Sequence, residues 1–274
     1  YKEIQLMQRI KIQCPAKINL TLRVVNKRED GFHNIESIMQ TINLFDYLTI
    51  SVKDSNNTNI VLSGTSKEIP YDDTNLVYKA SKLFLTQTNI KNKKIEIFID
   101  KNIPVAAGLA GGSTDAAGTL FGLNKMFNNI LSVEDLNVLC ADLGSDLNVC
   151  LKGGCLLAKG RGEIIEEQKF NDFCVNLIKP LDLGISAKEA YTKFSQKIAD
   201  IDKFNSRNNY KNDLEWAVID DYPQLKFIKD KYPTSIMTGS GSTYFSVSEK
   251  FDEHIEGYWV KNNLQSIGYG VTEV

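Results

Sequence analysis

Nowhere in the 274-residue chain is there a run of about 18 apolar residues, so no segment reads as a membrane-spanning helix. No basic stretch followed by an apolar one marks a signal peptide, and the expectation is a soluble, cytoplasmic protein without a membrane partner. The five cysteines include no CxxC pair, and an odd count without a secretion signal predicts reduced thiols packed in apolar runs. Two histidines, His33 and His254, are too few for an ordinary zinc site. Excess charge is missing as well. Thirty-two Lys and Arg against 34 Asp and Glu leave a net charge of −2, which excludes a general attraction for nucleic acid and requires a local site for any anionic ligand. There is no internal repeat and no low-complexity segment, and no fold argument rests on residues 1 to 9.

The most informative stretch joins an alternating apolar run to a glycine-rich loop and then to a helix of small residues. Ile95, Ile97 and Ile99 share one face, as in a half-buried strand. From Ala116 the apolar positions become Ala116, Leu120, Leu123 and Phe127, one face of a helix. Between them lies AGLAGGSTDAAG, residues 107 to 118. Its glycines allow positive φ and close ligand approach, and Ser113, Thr114 and Asp115 are available as caps for the helix. A helix start of this kind favours an anion such as phosphate, and a plain tight turn is the competing reading. No Lys precedes Ser113, so the loop is not a P-loop, and Ala110 breaks the GxGxxG dinucleotide pattern.

Alternation from Ile10 to Val25 predicts a strand with Lys17 and Asn19 about 7 Å apart on one polar face. Asp30-Gly31 marks a hairpin turn that leaves Phe32 and His33 at the end of a rigid element. Ile42 to Val52 reads as strand, and Thr74 to Phe84 as a helix capped by Asp72, Asp73 or Thr74. Ser132 and Asp135 form a capping box for a helix that buries Val133, Leu136, Leu139, Cys140 and Leu143 and stops at Gly144. Asp146 then stands at the rim of an apolar segment. A domain boundary is expected near 165. Beyond it the pattern predicts a strand at Phe173 to Ile178, helices near 187–199 and 213–231, strands around 235–248, a helix at 251–264 and a final strand to Val274. The helix at 251–264 is expected to set Phe251, His254, Ile255, Tyr258 and Trp259 in one stripe. The polar stretch Ile201 to Asn212 is the candidate mobile loop. The class is α+β in two domains, 9–165 and 166–274.

PVAAGLAGGSTDAAG at 104 to 118 resembles the second motif of the GHMP kinases. CPAKINL at 14–20, REDGFHNIES at 28–37, LGSDLNV at 143–149, NDLE at 212–215 and MTGSGSTYF at 237–245 resemble further motifs of that family, in the same order. GFHNIES and CPAKINL point, within it, to the branch acting on a cytidine-bearing substrate rather than on mevalonate, homoserine or a sugar. The resemblance implies an N-terminal domain like the second domain of ribosomal protein S5 and a ferredoxin-like C-terminal domain. It implies transfer of the γ-phosphoryl of ATP to the 2-hydroxyl of 4-diphosphocytidyl-2-C-methyl-D-erythritol, in the non-mevalonate isoprenoid route. Lys17 and Asp146 would be catalytic. ATP would be held by Asn75, by Pro104, Val105, Ala106, Ala107, Gly108, Leu109, Ala110, Gly111, Gly112, Ser113, Thr114 and Asp115, and by Gly239, Ser240 and Gly241. Mg²⁺ would bridge the phosphates, its protein ligand open and Ser113 the one candidate. Asn19, Phe32, His33 and Tyr191 would bind the cytidine-bearing substrate, Phe32 and Tyr191 sandwiching the base while His33 reads its edge. Phe32 stands where the family usually has Tyr, and Leu147-Asn148 where it has Val-Pro. The partners implied are small molecules, and the expected assembly is a monomer or weak homodimer.

Overall fold

The structure, a computed structural model, describes residues 8–200 and 204–274. Its longest element is strand β3 (His33–Asp54), 22 residues long. From Ile42 to Val52 every second side chain of it is buried. That alternation holds one face of β3 against a core while four other strands use its edges. It pairs antiparallel with β1 (Gln8–Asn19), β2 (Arg23–Lys27) and β5 (Lys93–Asp100), and also with β6 (Cys155–Lys159). The β2–β3 hairpin closes over Asp30-Gly31 as the turn signal predicts, with Lys27 opposite His33. β4 (Asn59–Gly64) adds parallel to β5, β7 (Ile164–Glu167) adds to β6, and β12 (Thr272–Glu273) returns from the far end of the chain to pair with β1.

Helices α1 (Leu76–Thr88) and α2 (Gly111–Met126) cover this eight-stranded sheet. Ala116, Leu120 and Leu123 of α2 are fully buried in the same cluster as Ile12, Leu48, Ile50, Ile95, Ile97 and Ile99. Each such large aliphatic side chain contributes roughly 1.5–3 kcal/mol by leaving water. The helix can lie this close because Gly118 faces Cys14 and Ile12, where a Cβ would collide with the thiol. α3 (Val133–Leu143) begins with both bonds of the predicted capping box and buries Leu136, Leu139 and Cys140, whereas Val133 is exposed. The short α4 (Leu147–Lys152) follows, starting at Asp146. All five cysteines are free thiols, and burial pushes Cys140 up to about 12.

A second, four-stranded sheet has the order β11-β8-β10-β9, from β8 (Cys174–Pro180), β9 (Ile236–Met237), β10 (Tyr244–Ser246) and β11 (Tyr258–Gln265). The fold is α+β with mixed sheets and helices. α5 (Ala187–Lys197) and two helices at Asp213–Val218 and Pro223–Lys231 pack on this sheet. No described helix is long and apolar enough to cross a membrane.

Several sequence expectations need correction. The helix expected at 251–264 is absent. Gly257 takes a φ of +80°, and the β-prone run Tyr258-Trp259-Val260 pairs with β8 instead, leaving His254 exposed in an irregular segment. The helix expected over 213–231 is two helices, because Pro223 cannot continue the first and starts the second. Asn75, not residues 72–74, caps α1. Of the polar stretch 201–212, residues 201–203 lie outside the described residues. Asn205–Asn209 form a 3₁₀ turn, and Asn212 is fully buried.

Candidate active site

Lys17 and Asn19 leave β1 on the same face, and both are buried rather than solvated. The reason is the partners that meet them. Lys17 Nζ donates to Asn19 Oδ1 at 2.8 Å and to the Gly108 carbonyl at 3.2 Å, and lies 3.4 Å from Asp146 Oδ2. Asn19 Nδ2 donates to Ser37 Oγ at 2.8 Å, and the Thr238 hydroxyl accepts from Asn19 N at 3.0 Å. Asp146 keeps a side-chain exposure of 30%, against 3% for Lys17, so the carboxylate is the more open member of the pair. Three separate stretches, β1, the glycine loop and the segment at Asp146, thus meet at one ammonium group.

The glycine loop arrives beside them. Gly108 has a φ of +74°, and a side chain there would run into the Thr238 carbonyl, so only glycine lets the two loops touch. α2 begins after Ala110, which is itself left-handed at φ 61°, and no side chain caps the helix. This differs from the expected capping by Ser113, Thr114 or Asp115. Asp115 instead turns inward to Lys101 at 2.9 Å, and Lys101 also pairs with Asp46. The uncapped amides and the positive end of the helix dipole therefore face the cavity.

That cavity holds about 1220 Å³ and is lined by five cations, Lys17, Lys27, Lys101, Arg161 and Lys188, against the two carboxylates Asp115 and Asp146. Local positive charge is what a chain of net charge −2 needs in order to hold polyphosphate. Of the sequence candidates, Lys17, Asn19, Phe32, His33, Asn75, Pro104 to Gly108, Ala110 to Ser113, Asp115, Asp146, Tyr191, Gly239 and Ser240 line the wall. Leu109, Thr114 and Gly241 do not; Leu109 and Thr114 are buried, and Gly241 backs onto Met237.

At one end, Phe32 is 51% exposed with the Arg161 guanidinium 5.2 Å from its ring centre. His33 stacks on Tyr191 at 5.0 Å with the rings 13° apart, and its Nε2 lies 3.1 Å from Ser195 Oγ. A base between Phe32 and Tyr191 therefore meets a Tyr191 ring that already carries His33 on one face. Burial, with Lys27 nearby, holds the imidazole below its ordinary 6.5, so it is neutral near pH 7. At the other end Ile69, Pro70, Thr74 and Leu76 form an apolar recess beside Asn75, whose side chain caps α1 and donates to the Pro70 carbonyl at 2.6 Å.

Sequence reasoning missed Lys101, Arg161, Lys188, Thr192 and Ser195. The last three lie on one face of α5, at the i, i+4, i+7 spacing of a helix wall. Lys101 had a signal in Asp46, a carboxylate at a core-facing position of the β3 alternation, which demands a buried cation.

Residues 75–154 match the family described as GHMP kinases N terminal domain. The chain is 39% identical over 267 residues to the 4-diphosphocytidyl-2-C-methyl-D-erythritol kinase of Clostridium beijerinckii, covering 90% of this chain and 92% of the relative. It is 40% identical over 256 residues to the enzyme of the same name in Clostridium tetani, covering 86% and 90%. A crystal structure of 4-(cytidine 5'-diphospho)-2C-methyl-D-erythritol kinase superposes with a TM-score of 0.73 at 25% identity, over 96% of this chain and all of that one. Homoserine kinase from Cytophaga hutchinsonii, at 16% identity and a TM-score of 0.69 over 100% of this chain and 99% of its own, shares the fold.

Proposed function

The chain belongs to the GHMP kinases and, within them, to the 4-diphosphocytidyl-2-C-methyl-D-erythritol kinases, and from that membership we propose how its residues divide the work. The reaction is ATP-dependent phosphorylation of the 2-hydroxyl of 4-diphosphocytidyl-2-C-methyl-D-erythritol, a step of isoprenoid precursor synthesis. Phosphoryl transfer needs positioning and charge neutralisation more than covalent chemistry. The single observation that carries the assignment of roles is the Lys17–Asp146 pair, 3.4 Å apart beside Gly108 and the uncapped start of α2.

In this reading the loop from Pro104 to Ser113 holds the ATP phosphates on its amides, with Gly239 and Ser240 closing over them. The adenine lies in the recess beside Asn75. Asp146 orients the substrate hydroxyl and receives its proton. Lys17 neutralises charge on the transferring group, and Asn19, fixed through Ser37 and Thr238, holds the Lys17 ammonium in place. Phe32, with Arg161 behind it, offers an open aromatic face to the cytosine, and His33 and Tyr191 form the adjoining wall. An apolar, exposed Phe32 suits a flat base, which mevalonate and homoserine lack.

Magnesium fits the donor set. Among the described residues no three His, Cys, Asp or Glu side chains come together, so an all-protein cage is absent. That is the sparse pattern magnesium tolerates when substrate phosphates and water fill most of its shell. The Ser113 hydroxyl would hold it. When bound, the ion neutralises phosphate charge.

The protein acts on small molecules, and we propose a cytoplasmic monomer or weak homodimer. Its N-terminal domain spans 9–165 and its C-terminal domain 166–274, which contributes Tyr191, Gly239 and Ser240. The test is Asp146→Asn, which keeps the side-chain shape. ATP and substrate affinities should stay within a few fold while turnover falls at least about a hundredfold, the scale of positioned acid–base catalysis. Near-normal turnover would remove Asp146 from the mechanism.

A further inference from the structure

The NDLE segment at 212–215 touches no part of the cavity through its first two residues, yet both are fully buried and both spend their side chains on other segments. Asn212 Oδ1 accepts from Leu214 N at 2.9 Å and so caps the helix Asp213–Val218. That leaves its amide group free to donate to two carbonyls, Met237 at 2.6 Å and Gly239 at 2.8 Å. These belong to the turn that closes the phosphate end of the cavity. The contact there is close: a Cβ on Gly239 would lie 3.0 Å from the Gly108 carbonyl oxygen and 3.3 Å from Lys17 Nζ.

Asp213 faces the opposite way. Its carboxylate accepts from Val24 N at 2.7 Å and from Arg23 Nη1 at 2.8 Å, and it pairs with Arg207. The hold is on β2, the strand whose turn presents Phe32 and His33. It also reaches His33 through packing. Arg207 lies 5.3 Å from the Phe194 ring, and Phe194 meets His33 edge-on at 6.3 Å. Backbone bonds lock the two grips together, because Leu22 N donates to the Lys211 carbonyl and Asp213 N to that of Leu22, both at 2.9 Å.

We propose that Asn212 and Asp213 are positioning residues that set the two ends of the cavity separately, Asn212 the ATP phosphate end and Asp213 the cytidine end. The inference rests on the kinase reading above. Asn212 is the extended cap residue and Asp213 the first residue of the helix, so the change of backbone direction between them sends their side chains to different segments, and one short motif holds both the 237–239 turn and β2. Arginine suits the second role because its planar fork can bridge a carboxylate and the Val24 carbonyl, which Arg207 reaches at 2.9 Å.

Steady-state kinetics of Asn212→Ser and Asp213→Asn test it, each substrate varied with the other saturating and folded enzyme counted by active-site titration. Asn212→Ser keeps a helix cap and withdraws the two amide donors. It should raise KM for ATP about tenfold, the size of a lost buried hydrogen bond, and leave KM for the cytidine-bearing substrate within twofold. Asp213→Asn should do the reverse. A purely structural motif would lower the active fraction in both variants with both KM values unchanged, and that outcome, or equal changes in both KM values in each variant, overturns the proposal. If either variant does not fold, Asn212→Asp and Arg23→Met, the latter at the half-exposed end of the Asp213 pairing, must show the same split. Absence of turnover by the wild-type enzyme would instead sink the kinase reading, and this inference with it.

Discussion

Lys101→Met isolates what the buried cation under the glycine loop does. Lys101 is 5% exposed and lies between Asp46 and Asp115, whose side chains are 0% and 3% exposed. Burial lowers its affinity for the proton, but the two carboxylates outweigh that and hold it above its ordinary value. Burial pushes Asp115 up to about 7 from its ordinary 3.8, against the pull of Lys101 and with help from Asp46. Asp46 keeps two other donors, the amides of Asn102 at 2.6 Å and Ile103 at 2.8 Å. Losing its charged partner should cost about 1.5–3 kcal/mol. Asp115 adds a part that depends on pH. In the wild type its raised value means that stability falls as pH rises from 3.8 to about 7, then levels as the folded protein also ionises. Without Lys101 the folded value moves higher still, so the variant goes on losing stability past pH 7, at up to about 1.4 kcal/mol per pH unit. Urea denaturation of both proteins at pH 6, 7 and 8 measures this. The gap should widen by about 1 kcal/mol between pH 7 and 8, and the double variant with Asp115→Asn should remove the widening. An equal gap at pH 6 and 8 would refute the reasoning.

Lys17→Ala should depress kcat as severely as Asp146→Asn, because it deletes charge beside the transferring group; a change in KM alone would make it a binding residue. Gly111→Val should abolish ATP binding by calorimetry on folded protein. The cause is not backbone φ, since Gly111 is helical, but a Cβ placed 2.7 Å from Lys101 Nζ at the start of α2. Phe32→Ala should weaken the cytidine-bearing substrate by roughly tenfold to a hundredfold and leave ATP affinity and melting unchanged, as expected for an exposed stacking ring. Phe32→Tyr should be mild. Tyr191→Ala should lose substrate affinity and stability together, since it also removes the face on which His33 rests.

The parts of the site carried by local pattern were legible in the chain. The alternation through Lys17 and Asn19, the Asp30-Gly31 turn and the glycine loop each impose local geometry, and the structure brings all three to one cavity. What the pattern could not give was how side chains would be spent after folding. Asp115 looked like a helix cap because Asp favours that place. It became part of a buried charge cluster because Lys101, just past the end of β5, and Asp46 of β3 arrive beside it. His33 looked free to read a base edge, but α5 brings Tyr191 against its face and Ser195 to its Nε2. In the second half, helical periodicity at 251–264 competed with β8, which offered a strand edge to Tyr258, Trp259 and Val260. A pairing partner some 80 residues away decided that contest, beyond the reach of any local window.

The most direct test of the whole account is ADP release by the wild-type enzyme on 4-diphosphocytidyl-2-C-methyl-D-erythritol, mevalonate and homoserine in parallel, with the phosphorylated product located by phosphorus NMR. The account predicts turnover on the cytidine-bearing substrate alone, with the new phosphate on its 2-hydroxyl. Equal or faster turnover on mevalonate or homoserine, or a phosphate on another hydroxyl, would contradict it.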